Sequence, residues 1–162
     1  MTENATLTHA GLEELIRRYF DACNAADEQA IIDCFVPEGV HYFPPGMYGG
    51  AFQGAAQIAA RWAAAVRDLG SIWTIEQVTT DPDNARAVIE WTHYKTFSGT
   101  VLRGDEWYVF DRPTGLIREI RAYYASPQAA DLQRLELAMF DYPGRGYSVQ
   151  PPDLPRPRPA AG

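Results

Sequence analysis

The sequence predicts a single α+β domain, and three observations support that prediction. Helical periodicity is confined to the first part of the chain, whereas β-branched and aromatic residues dominate from Ser71 onward. Turn signals divide this second part into four strands. A chain of 162 residues with 46% hydrophobic residues is also long enough for one sizeable core. Helices followed by an antiparallel sheet favour packing of the helices on one sheet face.

Three helices are predicted before Ser71. The first closes near Asn24, and its apolar residues have the spacing of one buried face: Leu12, Leu15, Ile16, Tyr19, Phe20 and Cys23. Asp27 is a suitable N-cap for a shorter second helix, which Pro37 ends. Its inward residues are Ile31, Ile32 and Phe35. The third helix follows Gly54 and stops at Gly70, with Ile58, Trp62, Val66 and Leu69 on one face.

A short strand is predicted at about Val40 to Phe43. Four longer strands follow near residues 71–80, 85–97, 101–111 and 116–125. The turns between them are marked by Asp81-Pro82-Asp83-Asn84, Ser98-Gly99 and Pro113-Thr114-Gly115.

The predicted domain covers residues 1–126. A helical pattern returns at Leu132, Leu135 and Met139, which predicts a C-terminal helix over 127–142. Residues 143–162 hold half of the prolines and are expected to be extended or disordered.

Composition excludes several kinds of partner. Lys and Arg number 14 against 21 Asp and Glu, and the resulting net charge of -7 would repel a nucleic-acid backbone. The uncharged stretch Gly39–Ala60 is interrupted by prolines and glycines that would break a membrane-spanning helix. Cys23 and Cys34 lie in predicted helices, and the N-terminus has no secretory pattern. We therefore expect a reduced, cytoplasmic protein.

The sequence also lacks the motifs of several classes of enzyme. The sequence contains no Gly-rich phosphate loop, no paired CxxC and no Gly-x-Ser-x-Gly elbow. The histidines, His9, His41 and His93, are not at metal-ligand spacing from one another. The sequence therefore predicts neither a metal site nor a cofactor.

The order of elements carries a resemblance to a known family. It is formed by RRYFDACNAADEQAIIDCFVPEGVHY, GAAQIAARW and RGDEWYVFDRPTGLIREIRAYY. Over about residues 8–126 this pattern resembles the nuclear-transport-factor-2-like superfamily, specifically its SnoaL-like polyketide cyclase branch. The resemblance implies a cone-shaped curved antiparallel sheet wrapped around the three N-terminal helices and open at one end to a small-molecule cavity.

The resemblance also assigns some positions. Tyr19 falls where ketosteroid isomerase has its oxyanion-hole tyrosine, and Phe43 falls on that enzyme's basic aspartate. The Arg-x-Asp pair of limonene-epoxide hydrolase falls on Trp91 and His93, and its second aspartate falls on Ala122. His41 occupies its strand-one tyrosine position. The usual routes of both enzymes are therefore not expected in this chain.

Strand register predicts which side chains face the cavity. Counting from the Gly115 turn, the inward residues are Gly104, Glu106, Tyr108, Ile120, Ala122 and Tyr124. The candidate catalytic residues are His41, His93, Glu106 and Tyr19. A histidine could abstract a proton or activate water, the carboxylate could orient it or act as acid, and the tyrosine could stabilise an oxyanion. The candidate ligand wall is Phe43, Tyr48, Trp62, Trp91, Tyr108 and Tyr124.

Each candidate also has a purely structural interpretation. Either histidine could be a core residue satisfied by one backbone carbonyl. A one-residue register slip would place Asp105 inside in place of Glu106. Tyr19 and the wall aromatics could be packing residues only, and Tyr48 could belong to a proline-glycine turn.

The leading functional interpretation is a cofactor-free acid–base enzyme acting on a small hydrophobic, carbonyl-bearing metabolite. The resemblance implies a cyclase, dehydratase or isomerase of secondary metabolism. The alternatives are an epoxide hydrolase-like enzyme with altered catalytic residues and a non-catalytic protein that binds a small ligand. Mixed polar and aromatic residues on the outer sheet face predict a homodimer through that face.

Overall fold

The structure is a computed structural model that describes residues 5–124 and 137–146. Its helices are α1 (His9–Asn24), α2 (Glu28–Ile32) and α3 (Ala55–Leu69), close to the predicted bounds. The Thr8 and Asp27 side chains accept hydrogen bonds from first-turn N–H groups and so cap α1 and α2. No helix in the described residues is both long and apolar enough to span a membrane.

Six strands form one curved, open sheet in the order β2-β1-β6-β5-β4-β3. The strands are β1 (Phe35–Tyr42), β2 (Phe52–Gln53), β3 (Ser71–Asp81), β4 (Arg86–Lys95), β5 (Thr100–Phe110) and β6 (Ile117–Tyr123). Strands β3 to β6 form the predicted antiparallel meander. The predicted α+β fold with helices against a curved sheet is confirmed.

The expectation of a purely antiparallel sheet is wrong at one pair of strands. Strand β1 runs parallel to β6, with His41 opposite Ile120. Tight turns force the neighbouring strands β3 to β6 to alternate in direction, but β1 and β6 are joined by most of the domain. A crossover of that length permits parallel pairing, so the sheet is mixed.

Strand β1 also begins five residues earlier than the predicted Val40. Pro37 does not end α2, which stops at Ile32, and Phe35 already pairs with Ile117. The register shifts between Phe35 and Val40, so the proline, which has no N–H to donate, lies where the ladder is interrupted. Phe35 is therefore a buried strand residue and not part of α2.

The helices and the concave sheet face enclose one hydrophobic core. Ile16 of α1, Ile31 of α2, Ile58 of α3 and Ile120 of β6 are fully buried in it. Leu69, predicted on the inward face of α3, is 36% exposed, because it is the last residue of the helix. The positions predicted to face inward on β5 and β6 do so, and no register slip brings Asp105 inside.

Residues 137–146 form turns that pack on the outer face of the sheet beside β1 and β6. Arg145 donates to both carboxylate oxygens of Glu119, at 3.1 and 2.8 Å, and to the Tyr42 hydroxyl at 3.1 Å. Phe140 lies beneath the Arg145 guanidinium, 4.1 Å from it. Of the C-terminal helix expected at 127–142, residues 127–136 lie outside the described residues, as do residues 147–162 of the tail expected from 143. The homodimer through the outer face stays a prediction.

The end of α1 is fastened to the edge strand β3 by one side chain. Asn24 Nδ2 donates to the Trp73 carbonyl at 2.9 Å, and the Trp73 N–H donates to Asn24 Oδ1 at 2.8 Å. We expect Asn24→Ala to lower the free energy of unfolding by about 1–3 kcal/mol, because it leaves both backbone groups of Trp73 without these partners.

Urea denaturation measures this effect. Asn84→Ala is the matched control, since Asn84 bonds only to Asp81 within an exposed turn. A surface change of that kind is expected to stay within about 0.5 kcal/mol. Equal destabilisation by the two variants would contradict the role given to Asn24.

Candidate active site

A cavity opens between α1, α3 and the concave face of the sheet. Its volume is about 30 Å³. It is lined by Tyr19, Phe20, Cys23, Phe43, Tyr48, Trp62, Trp73, Trp91, His93, Leu102, Glu106, Ala122 and Tyr124. The cavity is therefore narrow and aromatic, and a larger ligand would have to displace side chains.

Most of the site residues predicted from the sequence line this cavity. They are Tyr19, Phe43, Tyr48, Trp62, Trp91, His93, Glu106 and Tyr124. His41 and Tyr108 do not line it, although both are buried. These two residues instead contact the carboxylate of Glu106 from behind the cavity wall.

Glu106 is held on the inward face of β5 by two neighbours. The Tyr108 hydroxyl donates to Glu106 Oε2 at 2.7 Å. His41 Nε2 lies 3.5 Å from Glu106 Oε1, which is a long contact and not a full hydrogen bond. Burial and the adjacent negative charge of Glu106 raise the pKa of Tyr108 well above its usual value, so this hydroxyl stays protonated as a donor.

His41 is 1% exposed and surrounded by rings. It stacks on Phe43 at 4.2 Å between ring centroids and meets the edge of Trp62 at 5.5 Å. Neither ring nitrogen has a hydrogen-bond partner within 5–124 or 137–146. The backbone carbonyl that would make His41 a satisfied core histidine is therefore missing among these residues.

His93, on β4, lines the cavity. Its Nε2 is 2.8 Å from the Ser71 hydroxyl, and its ring stacks on Trp73 at 4.5 Å. Burial, together with the nearby charge of Lys95, lowers the pKa of His93 to about 4. The imidazole is therefore neutral at pH 7 and is a weak base there.

The Tyr19 hydroxyl is already engaged by the protein. It accepts a hydrogen bond from Trp62 Nε1 at 2.8 Å. Burial, together with the nearby Cys23 and Glu106, raises the pKa of Tyr19 well above its usual value, so the hydroxyl stays protonated.

Tyr48 and Tyr124 form a second pair of hydroxyls at the cavity. The two side chains are hydrogen-bonded, and burial raises the pKa of Tyr48 to about 12 and that of Tyr124 still further. Tyr48 has a left-handed backbone, with φ 54°, and its ring meets Phe43 at 4.8 Å. The proline-glycine loop thus contributes the ring of Tyr48 to the cavity wall, where the sequence predicted it.

Trp91 occupies space that a missing side chain leaves open. It pairs with Gly104 across β4 and β5. A Cβ at Gly104 would come within 2.7–2.9 Å of the Tyr123 carbonyl oxygen, the Trp91 ring and Tyr124 Cβ. The glycine therefore lets Trp91 lie against the sheet and meet the Tyr124 ring at 5.4 Å.

Sequence reasoning missed four lining residues as site residues: Phe20, Cys23, Trp73 and Leu102. Phe20 and Cys23 share the apolar face of α1 with Tyr19, so that face could have indicated them. Trp73 pairs with His93 and follows Ser71 by two residues on β3, so strand alternation indicates that both side chains face the same side of the sheet. Within 5–124 and 137–146, no cluster of three or more His, Cys, Asp or Glu side chains could hold a metal.

The fold and cavity define a class of protein, a cone of helices and curved sheet around a small apolar chamber. A family model described as the SnoaL-like domain matches residues 16–120, and the chain belongs to that family. Comparison with curated protein sequences gives no match.

Solved structures place the chain among relatives of the same fold. A protein of unknown function with a cystatin-like fold from Methylobium petroleophilum is 61% identical, with a TM-score of 0.88 over 94% of this chain and all of the other. An NTF2-like protein of unknown function from Mesorhizobium loti is 22% identical, with a TM-score of 0.60 over 72% of this chain and 93% of the other.

An enzyme is also among these neighbours. SalBIII, an epoxide hydrolase/cyclase-like enzyme with a role in pyran ring formation in the polyether salinomycin, is 16% identical. Its TM-score is 0.60 over 74% of this chain and 94% of the other. At this identity the likeness shows a shared fold.

The depressed pKa of His93 predicts a pH-dependent stability. Unfolded His93 binds a proton near pH 6.5, whereas folded His93 resists protonation until about pH 4. The unfolded state therefore binds more protons between these values, and the protein loses stability as the pH falls through that window. A shift of this size corresponds to about 3 kcal/mol.

Urea denaturation between pH 4 and pH 7.5 measures this loss. His93→Gln should remove most of the loss between pH 6.5 and 4. His9→Gln is the control, because His9 is exposed and bonds only to Thr80 on the surface. An unchanged pH dependence in His93→Gln would contradict the assignment.

Proposed function

We propose that this protein is a cofactor-free acid–base enzyme of the polyketide cyclase or isomerase type. Its substrate is a small, neutral, hydrophobic carbonyl compound, and Glu106 is the group that takes the proton. The observation that carries the proposal is the position of Glu106, a buried carboxylate that lines an otherwise largely apolar cavity and has two protein partners behind it.

The cavity environment supports proton transfer by Glu106. A carboxylate is costly to bury unless it is paired or used, and Glu106 is 7% exposed. Tyr108 occupies Oε2, so Oε1 is the oxygen that remains for a substrate proton. His93 has a pKa lowered to about 4 and is engaged with Ser71, so it is a weak base at pH 7.

His41 has a positioning role in this mechanism. It does not line the cavity, so it cannot touch the substrate, but its Nε2 is 3.5 Å from the reacting oxygen of Glu106. A small rotation of the ring would convert that contact into a hydrogen bond. His41 and Tyr108 then hold the two oxygens of Glu106, one from each side of the carboxylate.

The reaction begins when Glu106 Oε1 accepts a proton from the carbon next to the substrate carbonyl. The C–H electron pair moves into the enolate, and the negative charge develops on the carbonyl oxygen. With a β,γ-unsaturated ketone, Glu106 returns the proton to the γ-carbon of the dienolate, which gives an isomerase. Attack of the enolate carbon on a second carbonyl of the same molecule forms an alkoxide, which takes the proton from Glu106 and gives a cyclase.

Hydrogen exchange measures this first step without knowledge of the natural substrate. Phenylacetone in D₂O should exchange its benzylic protons faster with the protein than without it, as followed by proton NMR. Glu106→Gln should slow the catalysed exchange by about 10²–10⁴-fold, because the amide cannot accept the proton.

Glu90→Gln is the matched control, since Glu90 is exposed on the outer face of β4. It should exchange at the wild-type rate. Full exchange activity in Glu106→Gln would refute the role of Glu106. Tight binding of phenylacetone by the wild type with no exchange would favour the non-catalytic binding protein.

A further inference from the structure

One buried hydrogen-bond donor at the cavity has no partner. Trp91 lines the cavity and is 4% exposed, and its Nε1–H contacts no acceptor in residues 5–124 and 137–146. Leaving such a donor unpaired is costly, and buried polar groups in proteins are nearly always satisfied by protein, water or ligand. The cavity has room for water beside it, so a ligand atom can take the same place.

The other donors around the cavity are mostly committed to the protein. The Trp62 N–H is donated to Tyr19, and the Tyr108 hydroxyl is donated to Glu106. The Tyr19 hydroxyl accepts that bond from Trp62, and Cys23 is its neighbour on α1. Tyr48 lines the cavity and is only half-buried, so its hydroxyl is a competing donor.

The sheet register places Trp91 beside the carboxylate. Trp91 pairs with Gly104, and Glu106 is the next inward residue along β5. The Cα atoms of diagonal neighbours of this kind are roughly 7 Å apart, so a small ligand can contact both side chains. The Trp91 ring lies directly against Gly104, and the small side chain of Ala122 is opposite Glu106 on β6.

We propose that Trp91 Nε1–H donates a hydrogen bond to the carbonyl oxygen of the substrate while the α-carbon lies at Glu106. The inference rests on the proposed function and narrows it: the substrate is a neutral ketone bound between these two residues. As Glu106 takes the α-proton, the electron pair moves to the oxygen, and the bond from Trp91 strengthens because its acceptor becomes an anion. Trp91 then takes the oxyanion role that the sequence assigned to Tyr19.

A pair of probes of nearly equal shape tests this. Phenylacetone carries a carbonyl where methallylbenzene carries a C=CH₂ group, so only the ketone can accept the hydrogen bond. Dissociation constants are measured for both by ligand-observed NMR. We expect the wild type to bind the ketone about 5–10-fold more tightly, the ratio that one hydrogen bond supports.

Three variants locate the donor. Trp91→Phe keeps a ring but removes the N–H and should reduce the ketone-to-alkene preference to about one. Trp107→Phe is the matched control, because Trp107 is 44% exposed on the outer face of β5. Tyr48→Phe keeps the ring and removes the competing hydroxyl, so it tests whether that hydroxyl is the donor instead.

A measurement on the wild type covers the case in which Trp91→Phe does not fold. The ¹⁵N-labelled indole N–H resonance of Trp91 should move downfield on addition of phenylacetone and not on addition of methallylbenzene. An unmoved resonance, a preference retained in Trp91→Phe or lost in Tyr48→Phe, or a wild type without preference overturns the proposal.

The outcomes also separate this inference from the proposed function. A Trp91-dependent ketone preference without exchange of the benzylic protons supports the binding role of Trp91 and refutes catalysis by Glu106. Exchange that depends on Glu106 but proceeds equally well in Trp91→Phe supports catalysis and overturns the role of Trp91.

Discussion

A carboxylate buried among aromatic rings must be stabilised by its neighbours. The candidate site therefore depends on the two residues that contact the carboxylate of Glu106. Strand β5 places the residue inward because side chains alternate along a strand. The same alternation places Tyr108 two residues on, within 2.7 Å of one oxygen. The second partner, His41, comes from β1, which reaches this position only because it pairs in parallel with β6. The β1–β6 pairing is thus a condition for the site as well as for the sheet.

Other polar groups of the cavity are hydrogen-bonded to protein partners, which makes them less available to a ligand. Tyr19 is engaged by Trp62, and His93 is engaged by Ser71. Each pairing avoids the free energy lost when a buried polar group has no partner. It also removes a donor or acceptor that could otherwise contact a ligand. The groups that stay available to a ligand include an oxygen of Glu106, the N–H of Trp91 and the Tyr48 hydroxyl.

Strand alternation predicted which side chains of the sheet face inward. It could not predict how deeply a side chain is buried, and therefore whether it reaches the cavity. The Gly115 turn and the period of two placed Glu106 and Tyr124 at the cavity. The same period placed His41 inward but could not show that Phe43 and Glu106 lie between its ring and the cavity. Pro37 suggested the end of a helix. It lies instead in an irregular part of β1, and that strand forms by pairing with the distant residue Ile117, which the local sequence does not show.

The cavity wall around Phe43 and Tyr48 is hydrogen-bonded to residues 137–146, which lie beyond the predicted domain. Phe43 lines the cavity, and its carbonyl oxygen accepts from the Ala138 N–H at 2.9 Å. The Ala51 N–H, just after the loop that carries Tyr48, donates to Met139 Sδ at 3.4 Å. Arg145 then fastens this segment to β6 through Glu119. Because both ends of the loop are tied to 137–146, the width of the cavity depends on residues beyond 126 as well as on the cone itself.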